Sequence, residues 1–295
     1  MWRDETFALM THAIQQNLGP TGFYEKQGED AVLLIHGLTG TPAEMRAVAK
    51  RLSREGFSVM CPQLAGHCGS VGALKRSNWQ DWYNSVEQSF EALKLTHARV
   101  YVTGLSMGAL MALMLAEEKG ARVAGLGLLS TTFFYDGWNI SQQGRKWLLP
   151  LVLYSPLRYF ISWKEHPPYG IKCERTRAMV HAVLTNRDAQ TSEKVGIFRT
   201  PAVTVHESIR LIRVARKALP GVHAPTLIVH STEDDMASVK NAHYVARRIS
   251  SSKVETFLVD DTYHVLTLDK RKYDIAHKLA EFFRGCTAKQ VLAGE

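Results

Sequence analysis

With 295 residues, 45% of them hydrophobic, the chain is long enough to bury a large core and too apolar to remain disordered. No run approaches the roughly 18 apolar residues of a membrane span, and the N-terminus MWRDETFALMTHAIQQNLG lacks the uninterrupted apolar stretch of a secretory signal. Cys61, Cys68, Cys173 and Cys286 show no C-x-x-C spacing, so a zinc site or disulfide framework is not indicated and a soluble, cytoplasmic protein is expected.

A short amphipathic helix is expected near Phe7 to Gln16. Ala31 to Ile35 is a continuous apolar run that reads as a buried strand, ended by the turn His36-Gly37-Leu38-Thr39-Gly40-Thr41-Pro42. Glu44 to Glu55 then places Met45, Val48, Ala49 and Leu52 on one helical face, with Gly56 as its stop. Phe57 to Cys61 reads as a strand, Pro62 to Gly72 as a loop containing Gly66-His67-Cys68-Gly69, and Asn78 to Leu95 as a helix. Strands follow at 99–103 and 123–129, with a helix at 107–118 between them. After a break the pattern resumes with a strand at 226–230, a helix at 238–249, a strand at 254–259 and a closing helix at 270–284. Alternating strands and helices predict an α/β fold whose mostly parallel sheet is covered on both faces.

The chemistry centres on Gly104-Leu105-Ser106-Met107-Gly108. This G-x-S-x-G sequence lies between an expected strand and an expected helix with almost no loop, the context in which its serine is pushed outward as a nucleophile. A serine hydroxyl needs a base to take its proton and an acid to orient that base. On an α/β-hydrolase fold these follow in the order Ser, acid, His, on the loops after the last two strands. His264 follows the final strand and is the expected base. Asp234 is the favoured acid in the preceding loop, with Asp235 beside it and Asp260 and Asp261 as rivals. His36, His67, His97, His230 and His243 sit near element ends or in loops, where a satisfied structural imidazole is the simpler expectation. Two backbone amides are needed for the oxyanion, one from Met107 after the nucleophile and one from the glycine-rich turn after the first strand, where Leu38 is the expected donor. No metal or organic cofactor is required.

The segments LLIHGLTGTP, Cys61 to Gly69, Asp81-Trp82, VTGLSMG, EDDM and YHVLTLD together resemble the bacterial monoacylglycerol lipases and related small carboxylesterases of the α/β-hydrolase superfamily. The likeness covers roughly residues 23–129 and 225–283. It implies Ser106 as nucleophile, His264 as base, Asp234 as acid through the EDDM loop, and Leu38 and Met107 as oxyanion donors. The chain departs from the family pattern at Ala109, where a second glycine is usual, and in reading Gly66-His67-Cys68-Gly69 instead of G-H-G.

Between the two matching stretches the β-α rhythm stops. Residues 133–220 form an expected mainly helical lid, inserted into a core made of 1–132 and 221–295. That segment carries 14 Lys and Arg against 6 Asp and Glu, whereas the remainder carries 22 of each, so the whole formal charge of +8 resides there. No nucleic-acid module accompanies the charge. The aromatic and aliphatic run Trp147 to Tyr154 is a candidate acyl tunnel lining, and His206, Arg210, Arg213 and Lys217 fall along one helical stripe. The expected substrate is a small-molecule fatty-acyl ester. The lid's basic face would then contact an anionic lipid surface, or, for a thioesterase, coenzyme A or an acyl carrier protein.

Overall fold

The computed structural model describes residues 12–139, 148–185 and 199–292. Its main sheet contains β1 (Phe23–Glu25), β2 (Asp30–Ile35), β3 (Ser58–Cys61), β4 (Arg99–Leu105), β5 (Val123–Leu129), β8 (Thr226–Ser231) and β9 (Val254–Val259). Their order across the sheet is β1-β3-β2-β4-β5-β8-β9, parallel throughout except for β1, which runs antiparallel to β3. Strands β4, β5 and β8 are almost wholly buried, as the apolar runs without alternation require of strands covered on both faces. β9, at the edge, mixes half-buried and exposed positions.

The topology fixes where a site can form. The chain leaves β2 for β3 on one side and returns past β2 to place β4 on the other. The crevice beyond the carboxyl ends of β2 and β4 is therefore the switch point of the sheet, where ligands of open α/β sheets bind. Ile35 pairs with Gly104, so the turn after β2 and the turn after β4 emerge side by side.

One face of the sheet is covered by α3 (Trp79–Lys94) and α4 (Met107–Lys119), the other by α1 (Arg46–Arg54) and α9 (Lys272–Leu292). Tyr101 on β4 stacks on Phe283 of α9 with centroids 4.7 Å apart. The helix expected over Glu44 to Glu55 is split. Pro42 opens a 3-10 turn, Pro42–Met45, capped by Thr41, and α1 follows it. Asn78 and Asp81 form a reciprocal capping box that starts α3. The sequence reading missed β1 and α2 (Val71–Arg76), three and six residues long, too short to display a periodicity.

Between β5 and β8 the described residues form α5 (Leu148–Leu153), the antiparallel pair β6 (Ser162–Lys164) and β7 (Arg199–Pro201), α6 (Glu174–Thr185) and α7 (Ala202–Ala218). The small sheet was not foreseen. Leu211, Ile212 and Ala215 of α7 join the same apolar cluster as α4, so this helix is embedded in the core layer. The exposed apolar side chains lie earlier, at Leu148, Leu151, Tyr154, Leu157, Tyr159 and Phe160. Trp147, the start of the expected tunnel lining, and residues 7–11 of the expected first helix lie outside the described residues. α8 (Lys240–Ala246) completes the layer beside β8 and β9. Among the described residues no helix is long and apolar enough to cross a membrane.

Candidate active site

Ser106 joins β4 directly to α4 with φ 56° and ψ −111°, a conformation that side chains with a Cβ rarely adopt. The glycines on either side explain how the chain tolerates the turn. A Cβ on Gly104 would lie 2.2 Å from the carbonyl carbon of Gly108, and one on Gly108 would lie 2.3 Å from the carbonyl oxygen of Ile35. Strand, turn and helix touch backbone to backbone. The product is a half-buried Ser106 hydroxyl, whose Oγ lies 2.9 Å from Nε2 of His264 and 3.1 Å from Oγ1 of Thr132.

His264 sits in the loop after β9. Its Nδ1 meets Oδ1 and Oδ2 of Asp234, in the loop after β8, at 2.9 and 2.8 Å. An ionised carboxylate can only accept, so Nδ1 carries the hydrogen and Nε2 is left to accept from Ser106. Asp234 is held in turn: its Oδ1 accepts the backbone N–H groups of Met236 and Ala237 at 2.9 and 2.8 Å. Burial opposes the charge on Asp234, but the His264 and His230 rings and the Ala237 amide hold its pKa below the ordinary carboxylate value. Burial likewise opposes a charged His264, yet the Asp234 carboxylate outweighs it and raises the imidazole pKa above 6.5. The row can therefore withdraw a proton from Ser106 and keep the resulting imidazolium paired.

The other candidates go elsewhere. Asp235 turns its Oδ1 towards the backbone N–H of His264 at 3.3 Å, not towards the ring. Asp260 and Asp261 pair with Arg271 and Lys270 at the surface. His36 is buried, with Nδ1 3.0 Å from the Gly37 carbonyl and Nε2 accepting from the Leu64 amide, while His67 packs edge-on between His36 and Trp82. His230 donates from Nε2 to the Ala237 carbonyl at 2.7 Å and so braces the acid loop.

Leu38 lies in the turn after β2, beside the serine: a Cβ on Gly37 would be 3.7 Å from Cβ of Ser106. Met107 is the first residue of α4, where helix amides lack intrahelical acceptors. Three neighbours went unremarked in the sequence. Thr132 touches Ser106, Glu44 accepts the Gly37 N–H at 2.6 Å, and Glu165 lies 3.1 Å from the hydroxyls of both Thr39 and Thr200. Glu44 is pushed up to about 7 by burial, against the Gly37 hydrogen bond. Glu165 is also raised by burial. Nothing in spacing marks Thr132 and Glu165, whose proximity is created by segments meeting in space, while Glu44 lies seven residues from Gly37 within one turn.

The family model described as serine aminopeptidase, S33 (Hydrolase_4) matches residues 26–271. A thermostable monoacylglycerol lipase of Bacillus sp. (strain H-257) is 28% identical over 265 residues, spanning 90% of this chain and 94% of that protein. A carboxylesterase of Bacillus subtilis (strain 168) is 24% identical over 260 residues, covering 88% of this chain and 94% of its own length. Among solved structures, a chain from the metagenome-derived lipolytic enzymes LipS and LipT superposes with a TM-score of 0.76 at 25% identity, covering 91% of this chain and 99% of that one.

Proposed function

Because the chain belongs to the Hydrolase_4 family, described as serine aminopeptidase S33, and has lipase and carboxylesterase relatives along most of its length, we propose that it is a monoacylglycerol lipase-like carboxylesterase cleaving fatty-acyl esters through an acyl-enzyme. The carrying observation is the hydrogen-bonded row Ser106 Oγ, His264 Nε2, His264 Nδ1 and Asp234, standing at the switch point of the sheet. In this reading His264 takes the Ser106 proton as Oγ attacks the ester carbonyl. The amides of Leu38 and Met107 hold the oxyanion, and each such donor contributes on the order of a hundredfold or more in rate. His264 then protonates the departing alkoxide, the alcohol leaves, and the acyl group remains on Ser106. Water repeats the sequence from the other side and releases the carboxylic acid.

Residues 148–163 are assigned here as the outer part of a lid. Leu148, Leu151 and Phe160 are 65%, 61% and 82% exposed, an apolar surface suited to a lipid-water boundary with Arg158 among it. A thioesterase acting on an anionic carrier is the second reading, favoured by the excess positive charge of 133–220. Part of that charge is already engaged: Arg210 pairs with Glu207, Arg213 donates to Tyr154, and Arg216 covers the rings of Phe134 and Tyr244. The ester reading is therefore preferred.

The deciding experiment compares kcat/KM for one acyl chain on glycerol, p-nitrophenol and coenzyme A, at low and high salt. Preference for the glycerol ester supports the proposal. A thioester preference that collapses with salt replaces it with the carrier reading.

A further inference from the structure

The sequence ends its last recognisable motif at Asp269, five residues beyond His264, and nothing in the reaction so far uses that carboxylate. It is fully buried, yet every partner it has is a donor. Oδ2 accepts the backbone N–H of Tyr263 at 2.8 Å, the hydroxyl of Thr262 at 3.1 Å and the backbone N–H of Lys172 at 2.8 Å. Oδ1 accepts the backbone N–H groups of Cys173 at 2.8 Å and Lys270 at 2.9 Å. Two of these donors are the residues immediately before His264, and two belong to the segment inserted between β5 and β8.

The same inserted segment meets the loop at a second place. Gly170, at φ 71°, accepts the Val265 amide at 2.8 Å. A Cβ there would stand 2.8 Å from Cγ2 of Val265 and 3.2 Å from Cβ of His264, so the insertion presses its backbone against the histidine itself. Lys172 completes the strap by reaching Glu233 in the acid loop at 2.5 Å and Asp261 in the base loop at 3.2 Å. Residues on both sides of His264 are thereby tied to the insertion: 262 and 263 through Asp269, and 265 through Gly170.

We propose that Asp269 is a positioning residue for ester hydrolysis, fixing the imidazole of His264 against Ser106 by clamping its loop to Gly170–Cys173. The inference rests on the reading of Ser106, His264 and Asp234 as the catalytic row. It also makes residues 170–173 a fixed part of the site, distinct from the exposed apolar stretch at 148–163. A carboxylate suits the position because five donors converge on two oxygens, which no neutral side chain of that size can accept. Displacing the base by as little as an ångström costs on the order of a hundredfold in rate while leaving substrate binding intact.

The test measures kcat and KM on a short-chain ester for Asp269→Asn, with active sites counted by a serine-directed phosphonate and the fold checked by circular dichroism. Asparagine places an N–H₂ against the converging donors, so kcat per titrated site should fall roughly 10- to 100-fold with KM within about twofold. The rate of phosphonate labelling should fall by a similar factor. Gly170→Ala, which pushes on His264 from the insertion, should show the same split and decides the matter if Asp269→Asn does not fold. A folded variant whose kcat per titrated site stays within twofold of the native enzyme overturns the proposal, as does a loss accounted for by unfolded protein alone. Ser106→Ala is run beside them. If it is inactive while the Asp269 and Gly170 variants are unchanged, only the positioning role fails; if it retains activity, the catalytic row fails and the proposal with it.

Discussion

Nδ1 of His264 lies within 2.9 Å of both carboxylate oxygens of Asp234, and both side chains are almost completely buried. Burial opposes the imidazolium, but the paired charge prevails and lifts the His264 pKa above 6.5. A general base works only when neutral, so kcat/KM should fall with acidification through a midpoint above 6.5. Asp234→Asn removes the charge that raises the pKa. It should lower that midpoint and reduce kcat by up to about 10⁴-fold, because asparagine also favours the wrong tautomer. A pH–rate profile of both proteins checks this, and a native midpoint at or below 6.5 would contradict it.

Ser106 carries backbone strain that its hydroxyl does not require once activity is removed. Ser106→Gly deletes Oγ and places at φ 56° the residue best suited to it. The variant should be inactive and at least as stable as Ser106→Ala, which keeps the Cβ and its strain of roughly 1–3 kcal/mol. Chemical denaturation of the two variants makes the comparison. A clearly less stable glycine variant would show that the turn is not strained.

The elements that position the site were legible because each has a local cause. Ala31 to Ile35 and Val123 to Leu129 are apolar runs without alternation, and both are buried strands. Gly104 is needed by contacts within the strand-turn-helix unit and Gly108 by the close approach of Ile35 and His36 at the end of β2, but the G-x-S-x-G spacing between an apolar strand and a helix let the turn at Ser106 be read from five residues. β6 and β7 could not, since each is three residues long and gains its meaning from a partner more than 30 positions away. Thr132 and Glu165 were silent because their relation to the site exists only after separate segments meet, whereas Glu44, seven residues from Gly37 in the same turn, read only as the start of a helix.

Two buried histidines set an acid limit on stability. Burial pushes His36 down to about 3 and His67 down to about 4. Both stay neutral in the folded protein below pH 6.5, while the unfolded chain binds protons there. Stability should therefore decline as pH falls from about 6.5 towards 4. His97 and His230 are lowered by burial as well and add to this decline, while Glu44, raised in the fold to about 7, Glu165 and His264 work in the opposite direction. His67→Phe keeps a ring between His36 and Trp82 and removes one of the two titrations. Urea denaturation between pH 7 and 4 should then show a shallower decline, by up to roughly 3 kcal/mol. An unchanged slope would exclude His67 as a source.

Glu44 holds the turn that carries Leu38. Its Oε1 accepts the Gly37 amide at 2.6 Å, and a Cβ on Gly40 would stand 2.5 Å from both of its oxygens, so the turn is wrapped around the carboxyl group. Glu44→Ala leaves the Gly37 N–H without that partner and gives the turn room to relax. If Leu38 supplies an oxyanion amide, kcat should fall roughly 10- to 100-fold with little change in KM, since the oxyanion exists only in the transition state. Glu44→Gln keeps an acceptor for Gly37 and should retain kcat within about threefold of the native value. It should nevertheless lower the acid midpoint of kcat/KM, because the Glu44 carboxylate is one of the charges that raise the His264 pKa. Steady-state kinetics over pH 5 to 9 separates the two effects: both variants shift the position of the profile, and only the alanine variant also lowers its height. An alanine variant with native kcat would detach this turn from transition-state binding and leave Glu44 a purely structural brace.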